Sequence, residues 1–122
     1  MNANERRRRI LEEAWIGDAV LCLYCRGRIL KNDGALDGDK LTRMTSNQFL
    51  TAFGDPSAVE AEIGRVYTDE GLQAAFAWIE AKLMPKFDKR EAKRNPPPDR
   101  KVLLFDALPV QRHGYVPPVA IT

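Results

Sequence analysis

The chain has 122 residues, 30% of them charged, with a net charge of only +2. That length holds one domain and little else, and no apolar run approaches the roughly 18 residues of a membrane span. The total charge does not announce a polyanion ligand, but its distribution is uneven. Arg6 to Arg9 form one basic block, Lys82 to Lys101 form a second, and acids concentrate between them. Such runs are read first as solvated helix faces. A nucleic-acid reading needs the two blocks to meet in space or across a dimer.

Met1 to Arg9 is polar and basic and lacks the apolar stretch of a secretory leader. The basic run leads straight into a helical pattern, which speaks against an organellar transit peptide. The first element is expected over about residues 4–30, with Asn4 as its N-cap. Ile10, Leu11, Ala14, Trp15, Ala19, Val20, Leu23 and Tyr24 give it one broad buried face. Cys22 and Cys25 form a C-x-x-C pair, which can be redox-active or half of a zinc site. Structural zinc needs four ligands, there is no second pair, and the single histidine, His113, lies far along the chain. Buried free thiols are the expected state, and they imply a reducing compartment, with a cytoplasmic location expected.

Asn32-Asp33-Gly34 breaks the first helix. A second helix is expected over about residues 39–53, with Leu41, Met44, Phe49 and Leu50 as core positions. Gly54-Asp55-Pro56 is a breaker, and a third helix starts at Pro56 or Ser57, carries Val59, Ile63 and Val66, and ends near Tyr67. Asp69-Glu70-Gly71 reads as a turn. A fourth helix over about residues 72–84 holds Ala75, Phe76, Ile79 and Leu83, with Pro85 ending or kinking it. Residues 86–94 add a short basic helix.

Asn95-Pro96-Pro97-Pro98 stops helical structure. Beyond it, Val102-Leu103-Leu104-Phe105 has strand-like composition, and Pro109, Pro117 and Pro118 follow. The expected organisation is an all-α domain over residues 1–94 and an extended Pro-rich tail over residues 95–122. The tail cannot form its own core. It is expected to dock on the helical body or across a dimer, or to serve a protein partner.

Two stretches carry chemistry. The first is Trp15-Ile16-Gly17-Asp18-Ala19-Val20-Leu21; the second runs from Val59-Glu60-Ala61 through Ile63-Gly64 to Tyr67, Asp69 and Gly71-Leu72. Metal-assisted cutting of a phosphodiester needs carboxylates that converge on one small volume. Mg²⁺ takes oxygen ligands and keeps several waters, so one or two carboxylates can suffice. Asp18 and Glu60 come from different helices and can share an ion if those helices pack side by side. Gly17 and Gly64 suggest such a close approach, since glycine inside a helix costs about 1 kcal/mol relative to alanine. The competing reading of Asp18 is a surface acid on an amphipathic helix, although it lies between apolar neighbours.

These two stretches, in this order, resemble the signatures of the ribonuclease III family, and Leu41-Thr42-Arg43 through Asn47 to Leu50 resembles the helix linking them. The likeness covers roughly residues 8–84, and too few residues follow for a double-stranded-RNA-binding domain. It implies a ribonuclease III-like helical domain that cuts double-stranded RNA as a homodimer. It makes Asp18 and Glu60 the catalytic and metal-binding acids, with Mg²⁺ as cofactor and Mn²⁺ as a substitute. It also places Trp15 at the two-fold interface. Duplex RNA is read by shape and by phosphate and 2′-OH contacts. Arg6, Arg7, Arg8, Arg9, Arg26, Arg28, Lys82, Lys86, Lys89 and Lys93 are the candidates to bind it. Two further family carboxylates would stand at positions 14 and 57, where this chain has Ala14 and Ser57. Glu13 and Glu62 should face elsewhere at about 100° per residue, and Asp55 could approach only through loop geometry. This pattern resembles the compact Mini-ribonuclease III branch, although the chain departs even from that branch in the short link between Asp18 and Glu60. The alternative is a catalytically silent copy of the fold, acting as an RNA-binding or ribosome-associated scaffold.

Overall fold

Helix-forming segments separated by strong caps dictate the architecture seen in the computed structural model, which describes residues 1–94. The described chain is all-helical: α1 (Ala3–Asp33), α2 (Gly38–Thr45), α3 (Asn47–Leu50) running into a 3-10 turn (Thr51–Phe53), α4 (Pro56–Glu70), α5 (Leu72–Lys82) and α6 (Met84–Arg94). The expected Pro-rich tail, with Val102 to Phe105, lies outside the described residues.

Each boundary has a local cause. α1 starts earlier than expected because Asn2, not Asn4, is the N-cap. The Asn2 side chain accepts from the Glu5 N–H at 2.8 Å, and the Glu5 carboxylate accepts from the Asn2 N–H at 3.2 Å. This reciprocal box satisfies two otherwise orphaned donors. Gly34 ends the helix at φ 73°, donating its N–H to the Leu30 carbonyl, a left-handed cap that favours glycine. The single helix expected over residues 39–53 is instead split. Ser46 adopts extended backbone and its hydroxyl caps Phe49 N at 3.1 Å, so the chain turns and starts again. Asp55 caps α4 by accepting from Ala58 N at 3.1 Å, and Pro56 occupies the first turn. α4 continues through the expected turn at Asp69 and Glu70 and stops at Gly71, φ 97°. The break at Leu83 follows from Pro85, which lacks an N–H and sits in the first turn of α6.

The core joins Leu21, Cys25 and Ile29 of α1 to Met44, Phe49 and Leu50, to Val59 and Ile63 of α4, and to Ala75, Ile79, Leu83, Met84 and Phe87. α1 and α4 share the most extensive helix contact. The buried face of α1 differs from the expected one. Ala14, Gly17, Val20, Leu21, Cys25 and Ile29 are buried, whereas Ile10, Leu11, Trp15, Ile16 and Leu23 are exposed. The middle of α1 is apolar on more than one side, so periodicity alone does not choose between faces. α4 crosses on the side whose residues are small enough to admit it. The cysteines are free, Cys25 buried and Cys22 half-buried. Burial pushes the Cys25 thiol up to about 12. No described helix is long and apolar enough to cross a membrane.

Candidate active site

The crossing of α1 over α4 is a backbone-to-backbone contact. A Cβ on Gly17 would stand 1.7 Å from the Glu60 carbonyl oxygen, and one on Gly64 would stand 2.0 Å from the Glu13 carbonyl oxygen. No side chain fits at either position. The crossing sets Asp18, next along α1, against Glu60, one turn before Gly64 on α4.

Asp18 lies close enough to shift the Glu60 carboxyl. Glu60 is half-buried and Asp18 is exposed. The Glu60 pKa is pushed up to about 7, first by burial, then by a hydrogen bond with Asp18, then by the repulsion of the Asp18 charge. Burial of a carboxyl and a like charge beside it both favour the protonated form, and here burial is the larger cause. The Cys22 thiol, one turn after Asp18 on α1, lies 4.0 Å from Asp18 Oδ1. Its pKa is raised by burial and then by Asp18, with Glu60 adding to the rise and Arg26 opposing it.

Neighbouring acids are committed elsewhere. Arg65 donates to Glu13 at 3.0 Å and also bonds Glu62, tying α4 to α1 beside the glycine contact. Both acids therefore face away from Asp18 and Glu60, as the helical angles require. The Asp55 carboxylate is used as the α4 cap. Ala14 is buried in the crossing and Ser57 is half-buried, so neither position supplies a charge. Among the described residues Asp18 and Glu60 form no ion pair, and no group of three or more metal-ligating side chains occurs. What remains is an accessible two-carboxylate site with uncompensated charge. Those are donors suited to a hard divalent cation that retains most of its water.

The candidate basic residues divide into classes. Arg6, Arg7, Arg8 and Arg9 lie on the first turns of α1, where every residue from Met1 to Glu12 is exposed. Arg6 donates to the Met1 carbonyl, while Arg8 and Arg9 pair with Glu12 and Glu13. Arg26, Lys82, Lys86, Lys89 and Lys93 are exposed. Arg28 is different: it makes a two-pronged bond to Asp88 of α6 at 3.1 and 2.7 Å, which uses the fork that a phosphate would need. Trp15 stands 80% exposed on the side of α1 away from α4, with Leu11 and Leu23 on the same i, i+4 row. The Arg65 clamp and the Asp18–Cys22 neighbourhood were not anticipated. Their signals were the i, i+3 spacing of Glu62 and Arg65 and the i, i+4 spacing of Asp18 and Cys22.

Comparison with family models, with curated proteins and with solved structures gives no match.

Proposed function

We propose that the chain is a metal-dependent endoribonuclease that cuts double-stranded RNA as a homodimer, of the compact ribonuclease III type. The observation that carries this reading is the Asp18–Glu60 pair: two acids from different helices, set together by a glycine contact that excludes every other residue. The neighbouring Glu13 and Glu62 are each paired with Arg65. Asp18 and Glu60 form no ion pair among the described residues, and their meeting across two helices is what supports a cation as their shared counter-charge.

Asp18 and Glu60 would hold Mg²⁺ or Mn²⁺. When bound, the ion supplies charge stabilisation at the phosphoryl oxygens and makes water a better nucleophile at neutral pH. The protein's own part is placement. The α1–α4 contact fixes both acids on rigid helices, and Glu60 would have to give up its proton to act as a ligand. Arg26, exposed and close enough to oppose the rise in the Cys22 pKa, would help orient the RNA backbone.

The test is incubation of the purified protein with a long RNA duplex, with Mg²⁺, with Mn²⁺ and with chelator. Cleavage is expected only with the ions, and Asp18→Asn and Glu60→Gln should each abolish it. Both changes keep shape and remove charge. Wild-type cutting by either variant would disprove the assignment.

The second reading is a silent ribonuclease III-like fold serving as an RNA-binding or ribosome-associated scaffold. Ala14 and Ser57 favour it, since both stand where a four-carboxylate site would need acids. Duplex binding without cleavage under all ion conditions would select it. In either case the expected setting is cytoplasmic.

A further inference from the structure

The two acids of α6 are both turned toward the body. Asp88 takes the Arg28 fork of α1, and Glu91 takes Arg43 of α2 at 2.8 and 3.0 Å. The cations of the same helix are left outward. Lys86, Lys89, Arg90, Lys93 and Arg94 are all exposed, and none forms an ion pair among the described residues.

Two of these cations flank a concavity. Between α6 and the start of α3 lies a cleft of about 220 Å³, lined by Arg90 and Arg94, by Ser46 and Gln48, by the buried rings of Phe49 and Phe87, and by the Arg43–Glu91 pair, whose carboxylate is already neutralised by its arginine. Arg90 and Arg94 stand one helical turn apart. The Arg90 guanidinium lies over the Phe49 ring, 5.4 Å from its centroid. Phe49 is itself held edge-on by Phe87 and Phe53 at 5.6 and 5.4 Å. A stacked guanidinium is pre-oriented, so it loses less freedom when its N–H fork binds an anion.

We propose that the cleft between α3 and α6 binds a phosphodiester of the RNA backbone through Arg90 and Arg94, with Gln48 as a neutral donor. This rests on the RNA-directed reading above and adds residues to it that the sequence did not single out. The fork geometry of arginine matches two phosphate oxygens. Lys86, Lys89 and Lys93 extend the positive field along a helix about 16 Å long, at 1.5 Å per residue. A regularly charged duplex exploits such an extended field more fully than one isolated carboxylate does.

The test is binding of a labelled RNA duplex to the full chain, by fluorescence anisotropy in chelator, across a salt series. The double variant Arg90→Gln/Arg94→Gln should bind about tenfold more weakly at low salt, and the slope of log affinity on log salt should flatten by about 1 to 2. Arg90→Lys should recover part of the loss, because charge returns without the fork. Binding by all these rules without cleavage in Mg²⁺ would refute the nuclease reading and leave the cleft standing. Wild-type affinity and slope in the double variant, with unchanged melting temperature, would overturn the cleft and point to an acidic polypeptide as its occupant. Arg94→Gln alone, at the exposed end of α6, decides the matter in the same way if the double variant folds poorly.

Discussion

Gly17 packs so tightly on Glu60 that a single added carbon would lie 1.7 Å from the Glu60 carbonyl oxygen. The obstacle is helix backbone, which cannot rotate away as a side chain can. Gly17→Ala must therefore push α1 and α4 apart or unfold their contact. Overpacking in a close-packed region typically costs 1–3 kcal/mol and sometimes more. Here a loss of at least about 3 kcal/mol is expected in urea unfolding, and Gly64→Ala should behave alike. Ala14→Gly, at the same crossing, would cost only the glycine penalty of about 1 kcal/mol and a lost methyl contact. Near-wild-type stability in Gly17→Ala would show that the crossing is looser than described.

The glycines also explain what the sequence made legible. A glycine inside a helix has few reasons to be there, so Gly17 and Gly64 announced a close approach, and with it the meeting of Asp18 and Glu60. The helix inventory followed from periodicity and breakers. The orientation of α1 did not, because its middle carries apolar residues at Trp15, Ile16, Val20, Leu21, Leu23 and Cys25 in several directions. The close contact that α4 makes at Gly17 decides which face turns in: Ala14, Gly17 and Leu21 lie on that face, while Trp15 and Leu23 do not. The split at Ser46 was hidden for a related reason: its cap bond needs extended backbone, which composition does not reveal. Ion pairs distant in sequence, such as Arg28–Asp88, were beyond any local pattern.

Glu60 should give the metal-free protein a distinctive pH dependence. Its pKa is raised in the folded state to about 7, from an ordinary carboxyl value of 4.5. The folded state therefore favours the protonated form. The sign follows: stability is full below about 4.5, falls as pH rises toward 7, and then levels. Glu91 acts oppositely and in another window, since its bond with Arg43 lowers its pKa and its contribution is lost only as pH drops below the ordinary carboxyl range. Thermal melts in chelator between pH 4.5 and 8 should show the decline, and Glu60→Gln should flatten it. Adding Mg²⁺ at pH 8 should restore stability to the wild type but not to the variant. A wild-type profile that rises across this interval would contradict the Asp18–Glu60 pairing.

The thiols report on the same site. Cys25 is buried with a pKa near 12 and should resist a thiol reagent in the native protein at pH 8. Cys22 is half-buried, and Asp18 is the second cause of its raised pKa after burial. Asp18→Asn removes that charge while leaving burial in place. Labelling of Cys22 should then accelerate a few-fold without reaching the rate of a free thiol, as followed by mass spectrometry. Equal rates in wild type and variant would mean that the 4.0 Å neighbourhood of Cys22 and Asp18 has no electrostatic consequence.

Trp15 is the most exposed aromatic side chain on α1, at 80%, and Leu11 and Leu23 extend its row at 49% and 53%. Burying a large apolar side chain is worth about 1.5 to 3 kcal/mol. A self-complementary contact uses each such residue twice, because a two-fold interface presents the same patch from both subunits. Micromolar association requires about 8 kcal/mol net, and Trp15, Leu11 and Leu23 from two copies can provide much of it before the cost of docking is met. The proposed homodimer should therefore be seen at micromolar concentration by light scattering, with its dissociation constant raised at least tenfold in Trp15→Ala. The substitution touches no buried residue, so the melting temperature of the monomer should hold and separate lost association from lost folding. Cleavage by the variant should fall at low protein concentration and recover as concentration rises. A monomeric mass for the wild type at tens of micromolar would remove the dimer from the proposed function and leave this apolar row for another partner.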